Sequence, residues 1–145
     1  MSLFSAMSIS ASGMAAQRTR AELVTENLAN AETTRTPAGG PYRRKDAVFQ
    51  TASADSPFAS VMDSTLGDGT GGVSVAEIRV DQREPEQRYM PGHPDAGLNG
   101  YVAYPRINPA EEMVDLMSAS NGYQANVASM SAVKDMIQRS IDLLR

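Results

Sequence analysis

The chain has 145 residues with 17 Asp and Glu against 13 Lys and Arg, a formal net charge of −4, and no cysteine. That balance argues against nucleic acid as the main partner. The missing thiols remove disulfides, thiolate chemistry and most zinc sites, and they suit export into an oxidising space.

Apolar content is ordinary at 41%, but there is no Trp and there are nine Met. Such a surface, mostly Ala, Met, Leu, Ile and Val, suits adaptable helix–helix contacts more than a small-molecule pocket. The length allows one domain, or one small domain plus extended arms. Met1–Ser12 lacks a basic start, and Ser2, Ser5, Ser8 and Ser10 interrupt any apolar run, so a cleaved leader is not expected. No stretch approaches the roughly 20 apolar residues that a membrane span needs.

Residues 3–30 read as a helix. Phe4, Met7, Ala11, Met14, Ala21 and Leu28 recur at heptad-like spacing, and Ile9, Ala16 and Leu23 form a second stripe. Small residues (Ala6, Ala11, Gly13, Ala15, Ala16) would let a partner helix approach closely.

From Ala31 to Gly72 the helical pattern stops, because Thr33, Thr34, Thr36, Pro37, Gly39, Gly40 and Pro41 make continuous helix implausible. Tyr42 and the Ala47-Val48-Phe49 run could give a short strand. The basic run Arg43-Arg44-Lys45 reads as a solvated turn. Gly67–Gly72 resembles a phosphate loop only superficially, since no Gly-Lys-Ser/Thr follows.

Val73–Val80 is the best strand, and its alternation changes phase between Val75 and Ala76, which fits a bulge. Gln87–Met90 and Tyr101–Tyr104 are further strand candidates joined by the turn-rich Pro91–Gly100. Together these predict a small antiparallel β unit over 73–107 that leans on the helices.

Asn108 to Arg145 reads as a second helix. Asn108 can cap it, Pro109 presets the first helical φ, and Glu111 stands where a capping-box carboxylate reaches back. One stripe runs through Leu116, Tyr123, Val127, Met130, Ile137, Ile141 and Leu144. A second runs through Val114, Met117, Ala125, Ala128, Ala132, Met136 and Leu143. One partner in a hairpin covers one stripe only, so two stripes suggest two sets of neighbours. A continuous helix would be about 55 Å long, overrunning a compact domain of roughly 40 Å diameter. Asn121-Gly122 is the expected stop if there is one.

No set of residues suggests catalysis. His93 with Asp95 could form a proton relay or metal site, but with no Cys and no second His a turn residue is the better reading. Glu111 and Glu112 resemble paired acids, yet the helix dipole already explains acids in a first turn. The serines lack a His and Asp set beyond the same His93.

Ser12-Gly13-Met14, then Glu26-Asn27-Leu28-Ala29-Asn30 followed by Thr33-Thr34, resemble the N-terminal signature of bacterial flagellar rod and hook proteins. Thr36-Pro37, Gly39–Arg44, Pro91–Ala96, Gly100–Pro105 and Tyr123-Gln124-Ala125-Asn126 narrow the resemblance to the proximal-rod family, FlgC. It covers nearly the whole chain.

The resemblance implies a mainly α fold with a small β part. Helices 1–30 and 108–145 would pair as an elongated coiled-coil-like hairpin forming one discontinuous helical domain. The irregular segment 31–72 and the β unit 73–107 would lie between them. It further implies a structural subunit that assembles helically into the hollow drive shaft of the basal body and transmits torque. Such a subunit crosses no membrane by a cleaved leader; it reaches the periplasm-spanning rod through the flagellar type III export apparatus. Its partners would be copies of itself and other rod proteins, with no nucleic acid, no small-molecule substrate and no cofactor.

The residues expected at helix pairing and subunit interfaces are Phe4, Met7, Met14, Leu23, Asn27, Leu28 and Asn30 on the first helix. On the second they are Met113, Leu116, Met117, Tyr123, Asn126, Val127, Ala128, Met130, Ala132, Met136, Ile137, Ile141 and Leu144. The competing reading is a free-standing helical adaptor or export-associated binding module using the same stripes for one partner. A cell-wall enzyme ranks third, for want of an acid pair outside a helix start.

Overall fold

The computed structural model describes residues 3–52 and 71–143, so the expectations that fall on Gly67–Thr70 and on Leu144 lie outside it. In chain order the elements are α1 (Leu3–Ala29), β1 (Lys45–Thr51), β2 (Val73–Val80), β3 (Glu86–Tyr89), β4 (Tyr101–Tyr104) and α2 (Pro109–Asp142). Two terminal helices thus flank a small β part, as the sequence predicts.

α2 begins where its capping residues stand. The Asn108 side-chain oxygen accepts from the Ala110 N–H at 3.1 Å, and Pro109 occupies the first turn. Glu111 reaches back to the Asn108 side-chain amide (3.0 Å) rather than to the backbone N–H expected of a capping box. The helix then runs 34 residues through Asn121-Gly122 without a break, a length of about 51 Å. The expected stop fails for a packing reason. A Cβ on Gly122 would lie 3.1 Å from Gln17 Cδ, so this glycine is a place where α1 packs close against α2. The Asn126 amide also donates to the Gly122 carbonyl at 2.8 Å. Packing of that kind offsets the roughly 1 kcal/mol that a helical glycine costs.

α1 and α2 pack antiparallel. Gly13 faces Asn126, Gln17 faces Gly122, and Arg20 bonds Asp115. The face of α2 turned to α1 is a heptad series, with Glu112, Ala119 and Val133 buried and Asn126 half-buried. The stripe Leu116–Tyr123–Met130–Ile137 forms only the edge of that seam. Leu116, Met130 and Ile137 are half-covered, while Tyr123 and Val127 are 42% and 41% exposed. A search for apolar periodicity passes over the true seam because close helix approach is made by Ala, Gly and Asn.

On α1 the covered face holds Ser10, Ala16, Leu23, Val24 and Asn27. It therefore follows the Ile9–Ala16–Leu23 stripe. The stripe starting at Phe4 lies at the margin, with Phe4 itself 77% exposed.

The β part departs from a single three-stranded unit. β1 and β2 form one antiparallel pair, and β3 and β4 another. The strand that pairs with Val73–Val80 lies inside the stretch that reads as irregular. Its apolar run is only Ala47-Val48-Phe49, too short to stand out from its polar flanks. The bulge is found where the phase change places it: Val48 pairs with Glu77 and Phe49 with Val75, leaving Ala76 as the extra residue.

Before β1 the chain makes an ordered crossing. Gly39 and Gly40 adopt φ of 89° and 74°, closing a turn in which the Thr36 N–H donates to the Gly40 carbonyl at 2.8 Å. Thr34 Oγ1 then donates to Asp95 at 2.8 Å, tying this crossing to the turn between β3 and β4. In that turn His93 Nδ1 accepts the Asp95 N–H at 3.1 Å, the local role of a turn residue.

Candidate functional site: a buried polar latch and the outward helix faces

Near the junction of α1, β1 and α2 sits a polar network whose centre is Asn27, 0% exposed. Its oxygen accepts from the Lys45 N–H (2.9 Å) and from the Tyr42 hydroxyl (3.1 Å). Its amide donates to the Lys45 carbonyl (2.9 Å) and to Glu112 Oε2 (3.1 Å). All four hydrogen bonds that an Asn side chain can make are thus formed. The pair with Lys45 imitates a strand pairing, so the last turns of α1 hold the start of β1 in register.

Glu112, 1% exposed, is the other buried member. Its Oε1 accepts from Arg44 Nε at 2.5 Å. Arg44 also bonds Asp46 and, at 3.4 Å, Asp115, which in turn takes a 3.0 Å bond from Arg20. A carboxylate out of water is costly unless it is paired and hydrogen-bonded, and here both oxygens are engaged. Burial opposes the Arg44 charge, but the bond from Glu112 and the carboxylates of Asp46, Glu112 and Asp115 outweigh it and raise the pKa. Burial first, and then the nearby Glu26 and Glu112 carboxylates, push the Tyr42 phenol up to about 12. Lys45 closes the cluster on Glu26 at 2.5 Å.

One sequence reading is extended here and one needs correction. Glu112 is the first-turn acid that the sequence implies, and it is a buried ion-pair member as well. Arg44 is not part of a free turn; its guanidinium is largely covered and joins β1 to α2. Tyr42, Arg44, Glu112, Asp115 and Arg20 escape periodicity analysis because polar residues carry no stripe. The available signal was the motif Tyr42-Arg43-Arg44 itself.

Of the expected interface residues, Leu23 and Asn27 are buried within the subunit. Met7, Met14, Leu28, Asn30, Leu116, Asn126, Met130 and Ile137 are half-buried. Asn30 finishes α1 by donating to the Glu26 carbonyl (2.9 Å) and accepting from Thr33 Oγ1 (3.2 Å). Phe4, Met113, Met117, Tyr123, Val127, Ala128, Ala132, Met136 and Ile141 are exposed. Val114 and Leu143 add to this outward surface. Beside the helix pair, Ala21, Leu116, Ala119 and Tyr123 with Gln17 and Arg18 line an open groove of about 500 Å³. Among the described residues no cluster of His, Asp or Glu could hold a metal ion, and no helix is long and apolar enough to cross a membrane.

A long antiparallel helix pair that keeps one apolar side outward is the form of a subunit made to pack against neighbours. Residues 98–143, β4 with α2, match the family described as flagellar basal body rod FlgEFG protein C-terminal, which sets the chain among the flagellar rod proteins. Over the whole chain it is 38% identical to the flagellar basal-body rod protein FlgC of Borreliella burgdorferi, with 100% of this chain and 99% of that one covered. It is 38% identical to FlgC of Bacillus subtilis, covering 99% of each. It is 39% identical to FlgC of Salmonella typhimurium, covering 99% of this chain and 98% of the other. The chain belongs to the FlgC family of flagellar basal-body rod proteins and is a structural subunit of that rod.

Proposed function

We propose that this subunit enters the proximal rod by packing the outward face of α2 against neighbouring subunits, both copies of itself and other rod proteins. Stacked helically, the subunits form the hollow shaft that crosses the periplasm and carries torque. The supporting observation is the division of α2 into two faces. Its Glu112–Ala119–Asn126–Val133 side is committed to α1, while Met113, Val114, Met117, Met136 and Ile141 stand 48–66% exposed. Contacts of the head-to-tail kind that do not close generate an open helical assembly. Stiffness then comes from many close-packed contacts rather than one strong site. In this reading the terminal helices act as one discontinuous helical domain. The protein reaches the rod through the flagellar type III export apparatus, and it has no catalytic role or cofactor.

The test is an Ala128→Asp, Ala132→Asp double variant beside Val133→Asp. Both alanines are exposed and Val133 is 7% exposed. The double variant should remain folded and secreted yet be missing from purified basal bodies, whereas Val133→Asp should unfold the subunit itself. Normal incorporation of the double variant would show that this face touches nothing.

A further inference from the structure

The dipeptide Asn-Gly occurs twice in this chain, at Asn99-Gly100 and at Asn121-Gly122. In that sequence a backbone nitrogen most easily attacks the side chain before it, because glycine places no Cβ beside the reacting atoms. The glycine nitrogen bonds to the asparagine Cγ and the Cγ–Nδ2 bond breaks. The side-chain nitrogen leaves as ammonia, taking up the proton that the glycine nitrogen gives up. Water then opens the cyclic imide at either carbonyl, giving aspartate or an isoaspartate whose main chain runs through Cβ.

Both asparagines are exposed, and neither side chain is hydrogen-bonded among the described residues. The backbone distinguishes them. Asn121 lies inside α2, where helical angles hold the Gly122 nitrogen away from the side-chain carbon. Turning it inward would break the helix where Gln17 packs on Gly122 and Asn126 bonds the Gly122 carbonyl. Asn99 lies in the loop joining β3 to β4, between the fully exposed Leu98 and Gly100 at φ 74°. There the Gly100 N–H, the reacting nitrogen, is held by a hydrogen bond to the Gly97 carbonyl at 2.9 Å. Exposed turns of this kind open at little cost, and the middle of a packed helix does not. We propose that Asn99 is a site of spontaneous deamidation and isoaspartate formation in the folded subunit, and that α2 protects Asn121.

The consequence falls on the β3–β4 pair. The Gly100 carbonyl accepts from the Met90 N–H at 2.9 Å, and a Cβ on Gly100 would lie 2.9 Å from Tyr89 Cε2. An added main-chain carbon at Asn99 shifts both neighbours. With them moves the edge contact between the Tyr89 and Tyr101 rings, whose centroids are 5.3 Å apart. The chemistry of α1 and α2 is untouched, and nothing in this reaction depends on assembly.

Purified full-length protein is aged at mildly alkaline pH, folded and in urea, and mapped by peptide mass spectrometry with enzymatic methyl labelling of isoaspartate. In the folded chain Asn99 should convert about tenfold or more faster than Asn121, the ratio that a difference of about 1.4 kcal/mol between the two openings produces. In urea the two should convert at similar rates. An Asn99→Gln chain, whose longer side chain closes the imide ring far less readily, should form no isoaspartate when folded. It should also keep the near-ultraviolet tyrosine circular dichroism that the aged native chain loses. Equal conversion of the two sites in the folded chain would overturn the proposal, as would an Asn99 that stays intact while the chain in urea reacts. A preference for Asn99 that persists in urea, or no reaction there at either site, would also overturn it. An unchanged tyrosine signal in a fully converted chain would overturn the effect on β3–β4.

Discussion

Asn27→Asp changes almost no volume and so isolates the chemistry of the latch. The substitution replaces the amide with an oxygen that faces the Lys45 carbonyl at 2.9 Å and Glu112 Oε2 at 3.1 Å. Two hydrogen bonds are lost, about 1 kcal/mol each net. A second negative charge is also placed beside a buried one; at the effective dielectric of protein sites this repulsion is on the order of 4 kcal/mol before Arg44 and Lys45 offset part of it. A loss of about 4 kcal/mol at neutral pH follows, a large share of the roughly 5–15 kcal/mol that holds a domain together. The sign with pH is fixed. Burial and Glu112 raise the new carboxyl's folded pKa above its unfolded value of about 3.9. The deficit is therefore smallest below about pH 4 and grows as pH rises through the raised folded value. Urea unfolding followed by far-UV circular dichroism at several pH values, native against variant, measures it. A deficit under about 1 kcal/mol at pH 7, or one that does not grow between pH 4 and 7, would refute the view that Asn27 works as a saturated donor and acceptor.

Tyr42, with its phenol pushed up to about 12, should give an ultraviolet absorbance step at about that pH, and a Tyr42→Phe chain should lack that step. Because this pKa is raised, its contribution to stability is complete below the ordinary value of about 10 and disappears as pH rises through about 12. Gly122→Ala should stay within about 1 kcal/mol of native, since the helix gains while the end of the Gln17 side chain gives way. Gly122→Leu should separate the helices and lose about 3 kcal/mol by thermal melting. His93→Ala should leave motility intact, because its nitrogen serves only the local turn through the Asp95 N–H; non-motile cells with normal incorporation of the variant would contradict this.

What could be read from the residues divides along a physical line. The start of α2 was legible because Asn108-Pro109 acts locally, and the bulge at Ala76 because alternation is a local record of which side a strand buries. The two stripes of α2 do not single out its seam. Met117, Ala128 and Met136 are exposed, and the contact with α1 runs through Ala119, Gly122 and Asn126. Glycine at 122 is the instructive residue. Taken alone it signals a helix end, and opposite Gln17 it becomes a point of close approach. β1 was hard to find because its partner lies more than twenty residues away, so only pairing with Val73–Val80 makes Lys45–Thr51 a strand. The latch was hidden for a similar reason. Asn27, Arg44 and Glu112 come together from three elements, and no window of sequence contains all three.

The distribution of chemistry over the subunit also accounts for why a buried polar network stands among apolar core residues while large apolar side chains face outward. A seam of alanine and leucine alone would accept several registers, because each helical step of seven residues presents a similar surface. Asn27 and Glu112 do not allow this, since a slip leaves the Lys45 N–H, the Tyr42 hydroxyl and a buried carboxylate without partners. A buried ion network of this kind is weak grounds for added stability, and fixing register is its best-attested use. In a lone two-helix protein a slipped register would be a local fault. On a helix of about 51 Å a slip of seven residues displaces every outward methionine by about 10 Å, so no neighbour would find its contact. We therefore attribute the latch to the needs of assembly. It holds α1, β1 and α2 in one register, and the flexible Met113, Met117 and Met136 side chains, which tolerate small misfits, can then meet neighbours that are not all alike.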